Sequence, residues 1–323
     1  MNSDNTQDSP HGSPKPDLSV LIAGVRFKNP VIAASGTFGF GKEYSELIDV
    51  SALGGICTKG LTLRPREGNS GIRIWETPAG MLNSIGLENP GIEAFLEKEL
   101  PRMSAMGTVI IANLSGSTVE EYVQGAALLN ASSVDMIELN ISCPNVKTGG
   151  MIFGLDPQAA SSVLKPVRRA CPHKPLMAKL SPNAYDLAAV AKSCVNAGAD
   201  ALSLINTLKA MAIDINKRRP VFDNISAGLS GPAVRPIALR MVWELYGELT
   251  GQDKQPKVPL IGMGGISTAN DALEFLMAGA AAIQVGSATF AHPQTMQEII
   301  AGIEKYMKSN SYANIGEISI RHG

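Results

Sequence analysis

The chain repeats one pattern of hydrophobic and polar positions: a short apolar run, a polar or glycine-rich turn, and then a segment with helical periodicity. The apolar runs are nearly continuous, which is typical of parallel strands buried on both faces. Eight such strands alternating with eight helices predict an α/β fold, a (β/α)8 or TIM barrel. The predicted strands are 31–34, 55–58, 109–113, 136–141, 176–180, 201–206, 260–262 and 282–285, and the predicted helices are 43–48, 92–103, 118–130, 157–170, 184–197, 233–249, 268–278 and 293–307.

Four segments lie outside this repeat. Residues 1–17 are polar and rich in proline, serine and aspartate, so we expect a disordered tail before one barrel domain at 18–323. Residues 18–27 predict a hairpin that caps the bottom of the barrel. The connection 61–91 contains a second predicted hairpin, over the barrel mouth, whereas 208–232 is predicted to be irregular. Long insertions after strands two and six belong at the catalytic face and suggest lids or a partner surface.

Polar side chains collect at the predicted C-terminal strand ends, where such barrels carry their chemistry. Lys59 and Lys179 each close an apolar strand, and a buried ammonium is costly unless an anion or a hydrogen-bond network meets it. The alternative is that each lysine reaches a carboxylate on a helix. Asparagine amides often bind loop backbone, but several at separate strand ends suit a planar ligand with alternating N–H and C=O groups. The strand-end set is Ser35, Gly36, Lys59, Asn113, Asn140, Lys179, Asn206 and Thr207, and the loops add Asn83 and Asn145.

Glycines follow the last two predicted strands, in the segments Gly262-Met-Gly-Gly-Ile-Ser and Val285-Gly-Ser-Ala. Glycine lets backbone N–H groups approach phosphate oxygens, and the N-terminus of the next helix favours an anion. Barrels commonly bind phosphate after strands seven and eight. These segments therefore predict a phosphate-bearing ligand.

Cys143 follows the fourth predicted strand in the segment Glu138-Leu-Asn-Ile-Ser-Cys-Pro-Asn. Pro144 restrains the residue before it to an extended conformation, and Gly149-Gly150 gives the following loop freedom to move. We predict that Cys143 is an acid/base residue. The alternative is a buried structural thiol.

Composition narrows the class of protein. The formal charge is −1 and the basic residues form only one tight cluster, at 217–219, which argues against a nucleic-acid partner. No apolar run approaches the roughly 20 residues needed to span a membrane. Cys57, Cys171 and Cys194 are predicted to be small buried hydrophobic residues, and no C-x-x-C spacing indicates a zinc or iron–sulfur site. Without a secretion signal, reduced thiols and a cytoplasmic location are expected.

Several motifs together resemble the class 1 dihydroorotate dehydrogenases, and the match is nearest to the NAD-linked class 1B catalytic subunit. The resemblance covers the chain after its tail. The forms Asn-Thr-Leu and Gly-Leu-Ser-Gly-Pro favour class 1B over the fumarate-linked class 1A. The serine base and N-terminal helical domain of the membrane-bound class 2 enzymes are not visible. The matching stretches are 57–60, 81–91, 140–145, 179–183, 205–207, 228–232 with 236–240, and 262–266.

The resemblance implies one FMN per chain in the barrel mouth. Small departures from the family pattern occur at Lys209 and Ala227. The residues implied to bind FMN are Ala34, Ser35, Gly36, Lys59, Asn113, Asn140, Lys179, Ile205, Ser230 and Gly231, with Gly264, Gly265, Gly286 and Ser287 at its phosphate. Those implied to bind the pyrimidine are Lys59, Asn83, Ile85, Gly86, Leu87, Asn140, Asn145, Asn206 and Thr207.

The implied reaction is the oxidation of (S)-dihydroorotate to orotate in de novo pyrimidine (UMP) biosynthesis. Cys143 would take the C5 proton and FMN the C6 hydride. This chain has neither a G-x-G-x-x-G dinucleotide fingerprint nor cluster cysteines, so reduction of NAD+ would need a second polypeptide. The resemblance implies an electron-transfer subunit carrying FAD and a 2Fe-2S cluster, in a heterotetramer around a homodimer of catalytic subunits.

Other functions remain open on these motifs. A class 1A-like homodimer would use a soluble acceptor such as fumarate. A dihydropyrimidine dehydrogenase-type FMN subunit would act on pyrimidines without a carboxylate, which the lysine and the Met-Leu-Asn-Ser-Ile-Gly-Leu segment disfavour. A tRNA-dihydrouridine synthase should carry a basic surface. A phosphate-binding barrel lyase, or a non-catalytic binding protein, would be colourless when purified.

Overall fold

The computed structural model describes residues 15–142, 153–251 and 256–321. The strands in the described chain are β1 Val20–Ile22, β2 Val25–Phe27, β3 Val31–Ala33, β4 Gly55–Cys57, β5 Ile74–Thr77, β6 Gly80–Asn83, β7 Val109–Leu114, β8 Met136–Asn140, β9 Leu176–Lys179, β10 Ala201–Leu204, β11 Leu208–Ala210, β12 Ile213–Asp214, β13 Arg219–Pro220, β14 Ala227–Ser230, β15 Leu260–Met263 and β16 Ala282–Val285. Eight of these strands run parallel and close into a barrel in the order β10-β15-β16-β3-β4-β7-β8-β9, which confirms the predicted (β/α)8 fold.

The helices lie outside the barrel, and side-chain caps set several of their first residues. Asp156 accepts a hydrogen bond from the backbone N–H of Ala159, and Thr268 forms a capping box with Asp271. Asp186 caps the helix that was predicted from residue 184, which explains its later start. The α-helices in the described chain are Lys42–Ser45, Ile92–Ala94, Leu100–Ser104, Val119–Asn130, Pro157–Ala170, Leu187–Asn196, Arg235–Leu249, Ala269–Met277, Ala288–Ala291 and Thr295–Ser309, and a π-helical turn spans Phe95–Glu99.

The hairpin of β1 and β2 closes the bottom of the barrel, as predicted. Ile22 and Phe27 are buried there against inward-facing residues of the barrel strands, including Ile32, Cys57 and Ile111. The side chains of this layer are hydrophobic. A polar ligand is therefore expected at the opposite end of the barrel, where the polar strand-end residues lie.

A four-stranded antiparallel sheet, in the order β11-β14-β6-β5, belongs to the two long insertions. The predicted hairpin in 61–91 is confirmed as β5 and β6. The prediction that 208–232 is irregular is wrong, because β14 pairs with both β6 and β11. β14 is stabilised by β6 from the other insertion, and a small apolar core of Leu82, Val221, Phe222 and Ala227 lies within the insertions. Local sequence carried no sign of that long-range pairing.

The described chain begins at Lys15, inside the segment predicted to be a tail. Asp17 forms a parallel β-bridge with Asn314, and its backbone N–H donates to the carbonyl of Ala313 at 2.8 Å. The two departures from the family pattern lie on the insertion sheet, where Lys209 is exposed in β11 and Ala227 is buried in β14. The division into a tail at 1–17 and one domain at 18–323 remains a prediction.

Candidate functional site

A cavity of 320 Å³ lies at the C-terminal ends of the barrel strands and extends under β6 of the insertion sheet. Both lysines singled out from the sequence line it, and the predicted loop residues join them. The predicted residues in its lining are Ser35, Gly36, Lys59, Asn83, Ile85, Gly86, Leu87, Asn113, Asn140, Lys179, Asn206 and Thr207, and Thr37, Gly60, Ile74, Met81, Glu88 and Phe290 complete it.

Three asparagines of this lining are joined in one hydrogen-bonded chain. The amide of Asn206 donates to the hydroxyl of Ser142 at 2.8 Å, and that hydroxyl donates to Asn140 Oδ1 at 3.2 Å. The amide of Asn140 in turn donates to Asn113 Oδ1 at 3.4 Å. The chain links the ends of β10, β8 and β7. It fixes which way each amide presents its donor and its acceptor to the cavity.

Lys59 is a half-buried lysine of the cavity wall. Its backbone N–H donates to the carbonyl of Gly39 at 3.0 Å, which holds the residue at the exit of β4. Within residues 15–142, 153–251 and 256–321, its ammonium has neither a carboxylate partner nor a hydrogen-bond acceptor. The alternative was that Lys59 reaches a carboxylate on a helix, and the described residues provide no such carboxylate. A cation held this way favours an anionic ligand.

Lys179 differs from Lys59 in having partners. Its side chain is only 5% exposed, and its Nζ donates to the hydroxyl of Ser35 at 2.9 Å. The same Nζ lies 3.5 Å from Oε1 of Glu138, a carboxylate on the adjacent strand β8. Lys179 thus meets an inward-facing carboxylate instead of one on a helix.

Glu138 is the main feature of the site that sequence reasoning missed. Its side chain is fully buried in the barrel, and it accepts hydrogen bonds at 2.6 Å from Asn113 Nδ2, 2.7 Å from Ser203 Oγ and 2.9 Å from Gln284 Nε2. The signal was available in Met136-Ile-Glu-Leu-Asn, where one charged residue interrupts an apolar strand. A buried charge needs such partners, so the charged residue inside this apolar strand indicated that a hydrogen-bond network surrounds it.

The network fixes opposite protonation states on two neighbouring acids. Burial alone raises the pKa of Glu138, but the Lys179 charge and the hydrogen bonds from Ser203, Gln284 and Cys57 together hold it below its usual value. The Cys57 thiol lies 3.2 Å from Glu138 Oε1 and donates to it. Burial and the Glu138 charge hold the pKa of Cys57 well above its usual range. Glu138 is therefore a carboxylate and Cys57 a neutral thiol at neutral pH.

The prediction that three cysteines are buried is confirmed. Cys57, Cys171 and Cys194 are all free thiols with fully buried side chains. Burial raises the pKa of Cys194 to about 12. Cys57 also has the polar role described above, which its sequence context did not indicate.

The glycines predicted to hold a phosphate follow the adjacent strands β15 and β16. Gly264 and Gly265 have φ of +125° and +73°, and a Cβ on Gly265 would lie 2.8 Å from the carbonyl oxygen of Gly231. Only glycine therefore fits this turn. Within the described chain, the backbone N–H groups of Gly264, Gly265, Gly286 and Ser287 donate to no other protein atom.

Two of the remaining predicted residues lie beside these glycines, Ile205 at Gly264 and Ala34 at Gly286. Ser230 lies instead beside Gly80 of the insertion sheet. Cys143 and Asn145 lie outside the described residues, so their roles stay predictions. Ser142, which precedes Cys143 in sequence, is bonded to the cavity residue Asn206.

A barrel with two lysines and a row of amides at its mouth defines a class of ligand-binding α/β barrels. Comparison with known proteins gives the particular family: residues 17–307 match the sequence model of dihydroorotate dehydrogenase. The chain belongs to the dihydroorotate dehydrogenase family. The predicted family and the predicted enzyme class, an oxidoreductase, are confirmed.

Relatives named "Dihydroorotate dehydrogenase B (NAD(+)), catalytic subunit" match nearly the whole chain. The chain is 57% identical to that of Petrotoga mobilis over 302 residues, covering 94% of this chain and 98% of the relative. It is 54% identical to that of Geotalea daltonii, covering 94% and 97%, and 51% identical to that of Caldicellulosiruptor saccharolyticus, covering 94% and 98%. The predicted resemblance to the B type is thereby confirmed. Among the described residues, no helix is long and apolar enough to cross a membrane.

Proposed function

We propose that this chain is the catalytic subunit of an NAD-linked dihydroorotate dehydrogenase and oxidises (S)-dihydroorotate to orotate. The observation that carries the proposal is the convergence of Lys59, Lys179 and the asparagine amides on one cavity at the catalytic end of the barrel. The B-type names of the relatives support the same activity.

FMN is the cofactor that the residues around the cavity fit. Four backbone N–H groups after β15 and β16, which donate to no protein atom in the described part of the chain, suit the acceptor oxygens of a phosphate. The oriented amides of Asn113 and Asn140, with Lys179 and Ser35, match the imide edge of a flavin ring. When bound there, FMN would supply the acceptor for the hydride that leaves C6.

Lys59 is assigned to the negative charge of the substrate. Its ammonium has no carboxylate among the described residues, and the pyrimidine substrate carries one. Asn83, Asn206 and Thr207, which also line the cavity, would hold the pyrimidine ring together with Asn145. This assignment favours dihydroorotate over dihydrouracil, because the latter has no carboxylate to meet the lysine.

Cys143 is assigned as the base that removes the C5 proton. Its neighbour Ser142 is bonded to Asn206 in the cavity wall, and this bond supports the assignment. Only the thiolate can accept the proton. The reaction should therefore accelerate with pH until Cys143 is ionised.

A second polypeptide is assigned to the transfer of electrons to NAD+. We propose a subunit carrying FAD and a 2Fe-2S cluster, bound to a dimer of catalytic subunits in a cytoplasmic heterotetramer. The name "catalytic subunit" carried by the relatives supports a partner, and the chain itself has no G-x-G-x-x-G fingerprint. The isolated chain should reduce an artificial dye but not NAD+.

Steady-state oxidation by the FMN-reconstituted chain tests the proposal. Dihydroorotate and dihydrouracil are each supplied with a dye, with fumarate or with NAD+ as acceptor. We expect the chain to oxidise dihydroorotate when the dye is the acceptor, but not when fumarate or NAD+ is the acceptor. Turnover of dihydrouracil instead would assign the chain to the dihydropyrimidine class, turnover with fumarate would assign it to the A type, and no turnover of either pyrimidine would overturn the proposal.

A further inference from the structure

Glu138 lies at the centre of a network drawn from most of the barrel. Its carboxylate is bonded to groups from β7, β10 and β16, to the thiol of β4, and to the ammonium of β9. A carboxylate buried this deeply needs many partners to offset its lost hydration, and an apolar core would pack without them. The arrangement therefore calls for a function beyond packing.

The ammonium of Lys179 connects this network to the cavity. It lies between Glu138 Oε1, at 3.5 Å, and the hydroxyl of Ser35, at 2.9 Å. Lys179 and Ser35 both line the cavity, whereas Glu138 does not. Glu138 therefore acts on a bound molecule through two cavity residues that contact it, the charged Lys179 and the neutral amide of Asn113.

We propose that Glu138 is a positioning residue that holds Lys179 as a directed ammonium and balances its charge beneath the cofactor cavity. The part of this inference that concerns FMN rests on the proposed function. Oxidised FMN has a neutral ring near pH 7, whereas the reduced ring is an acid that ionises to an anion. A cation left without its counter-ion would therefore favour the reduced ring.

Glu138→Gln is a conservative test because the network can adapt to it. Among the residues that the structure describes, the fully buried Gln284 Oε1 has no hydrogen-bond partner, and the two ends of an amide are assigned from such partners. A flipped Gln284 would accept from the new amide, and the hydroxyl of Ser203 can accept as readily as it donates. The new carbonyl would still face Lys179 and Asn113. The substitution then removes charge with little change of shape.

The experiment measures the affinity of each variant for oxidised and for reduced FMN. In Glu138→Gln we expect the ratio of the two affinities to shift at least tenfold toward the reduced form, which equals about 30 mV for a two-electron couple. Lys179→Met should shift the ratio in the opposite direction. Ser203→Ala is the matched control, because it removes one hydrogen bond from Glu138 and keeps the charge, so its ratio should stay near that of the wild type.

The outcomes separate a charge effect from a structural one. Equal ratios in Glu138→Gln and wild type would overturn the proposal, and so would an equal shift in Ser203→Ala. A colourless wild-type protein that binds no FMN would instead refute the proposed function. For that case, unfolding of the apo-protein supplies an independent readout.

The apo-protein readout is a double-mutant cycle of Glu138→Gln and Lys179→Met in urea. Each single variant leaves one buried charge unpaired and should lower the folding equilibrium constant at least tenfold. The double variant should lose less than the product of the two losses. Additive losses would overturn the pairing whether or not FMN binds, and a non-additive cycle supports it.

Discussion

Lys59 and Lys179 line the same cavity, but only Lys179 has a carboxylate partner within the described parts of the chain. Lys59 follows β4 and Lys179 is the last residue of β9, so the two lysines lie at separate points of the barrel wall. One lysine is thus neutralised by the protein, and the other is left to meet a ligand. The distinction gives each cation a different chemical role.

Lys59→Met should weaken binding of orotate roughly 10- to 100-fold, because a hydrogen bond to a charged group contributes about 1.5–3 kcal/mol. The measurement is the change in flavin absorbance as orotate is titrated into the FMN-loaded protein. Lys98→Met, at an exposed position of the π-helical turn, is the control and should bind orotate as the wild type does. Equal affinity in both variants would remove Lys59 from the carboxylate site.

Gly265→Ala should weaken FMN binding and lower the free energy of unfolding by about 1–3 kcal/mol. The residue has φ +73°, and a Cβ would lie 2.8 Å from the Gly231 carbonyl oxygen and 2.9 Å from the Arg235 nitrogen. Gly107→Ala is the matched control, with φ +67° and no atom within 4 Å of the added carbon. It isolates backbone strain from the clash.

FMN titration and urea unfolding of both glycine variants provide the comparison. Gly107→Ala should lose some stability and bind FMN normally, since it lies far from the phosphate glycines in the chain and makes no clash. If Gly265→Ala bound FMN as tightly as Gly107→Ala does, the turn after β15 would have no part in the cofactor site.

Much of this site could be predicted because strand ends are visible in sequence. Lys59 and Lys179 each end an apolar run, and the closure of a parallel barrel brings all such ends together. The cavity that contains both lysines follows from those two facts. The insertion sheet could not be predicted in the same way, because β14 is stabilised by β6, nearly 150 residues away in the chain.

The hydrogen-bond network around Glu138 could not be predicted from the sequence, for a related reason. Ser203 and Gln284 lie in strands whose sequences are otherwise apolar, and each alone reads as an isolated polar residue. Only the closed barrel brings their side chains to one carboxylate. The charged residue inside β8 was the single local signal, and it indicated a partner without indicating which one.

Alkaline pH should destabilise the protein through its buried thiols. The pKa of Cys194 is raised to about 12, so its neutral form is fully stabilising below the unfolded pKa of about 8.5 and this contribution is lost as pH rises. Between pH 8 and 10 the unfolded state alone ionises, which costs about 2 kcal/mol for this thiol. Urea unfolding of the wild type and of Cys194→Ala between pH 8 and 10 measures this loss of free energy of unfolding.

Comparing how the free energy of unfolding changes with pH in the two proteins separates the ionisation of Cys194 from its packing. Cys194→Ala also leaves a small cavity, but that loss is independent of pH. The wild type should therefore lose about 2 kcal/mol more than the variant between pH 8 and 10. Parallel pH profiles would mean that Cys194 is ionised to the same extent in the folded and unfolded states.

Cys143→Ser should bind FMN with wild-type affinity and reduce it far more slowly near neutral pH. A hydroxyl is a much weaker acid than a thiol, so the fraction of ionised base falls and the rate should keep rising to higher pH. Stopped-flow reduction by dihydroorotate from pH 6 to 10 gives the profile. Cys171→Ser, at a buried position outside the cavity lining, is the control and should keep the wild-type profile. Identical profiles for wild type and Cys143→Ser would exclude the thiol as the base.

The most direct measurement is an anaerobic single-turnover titration of the FMN-loaded chain with dihydroorotate. Flavin absorbance and orotate formation are followed in the same sample. We expect one orotate to form for each FMN reduced, and dihydrouracil at the same concentration to leave the flavin oxidised. A flavin that stays oxidised in excess dihydroorotate would show that the chain is not a dihydroorotate dehydrogenase.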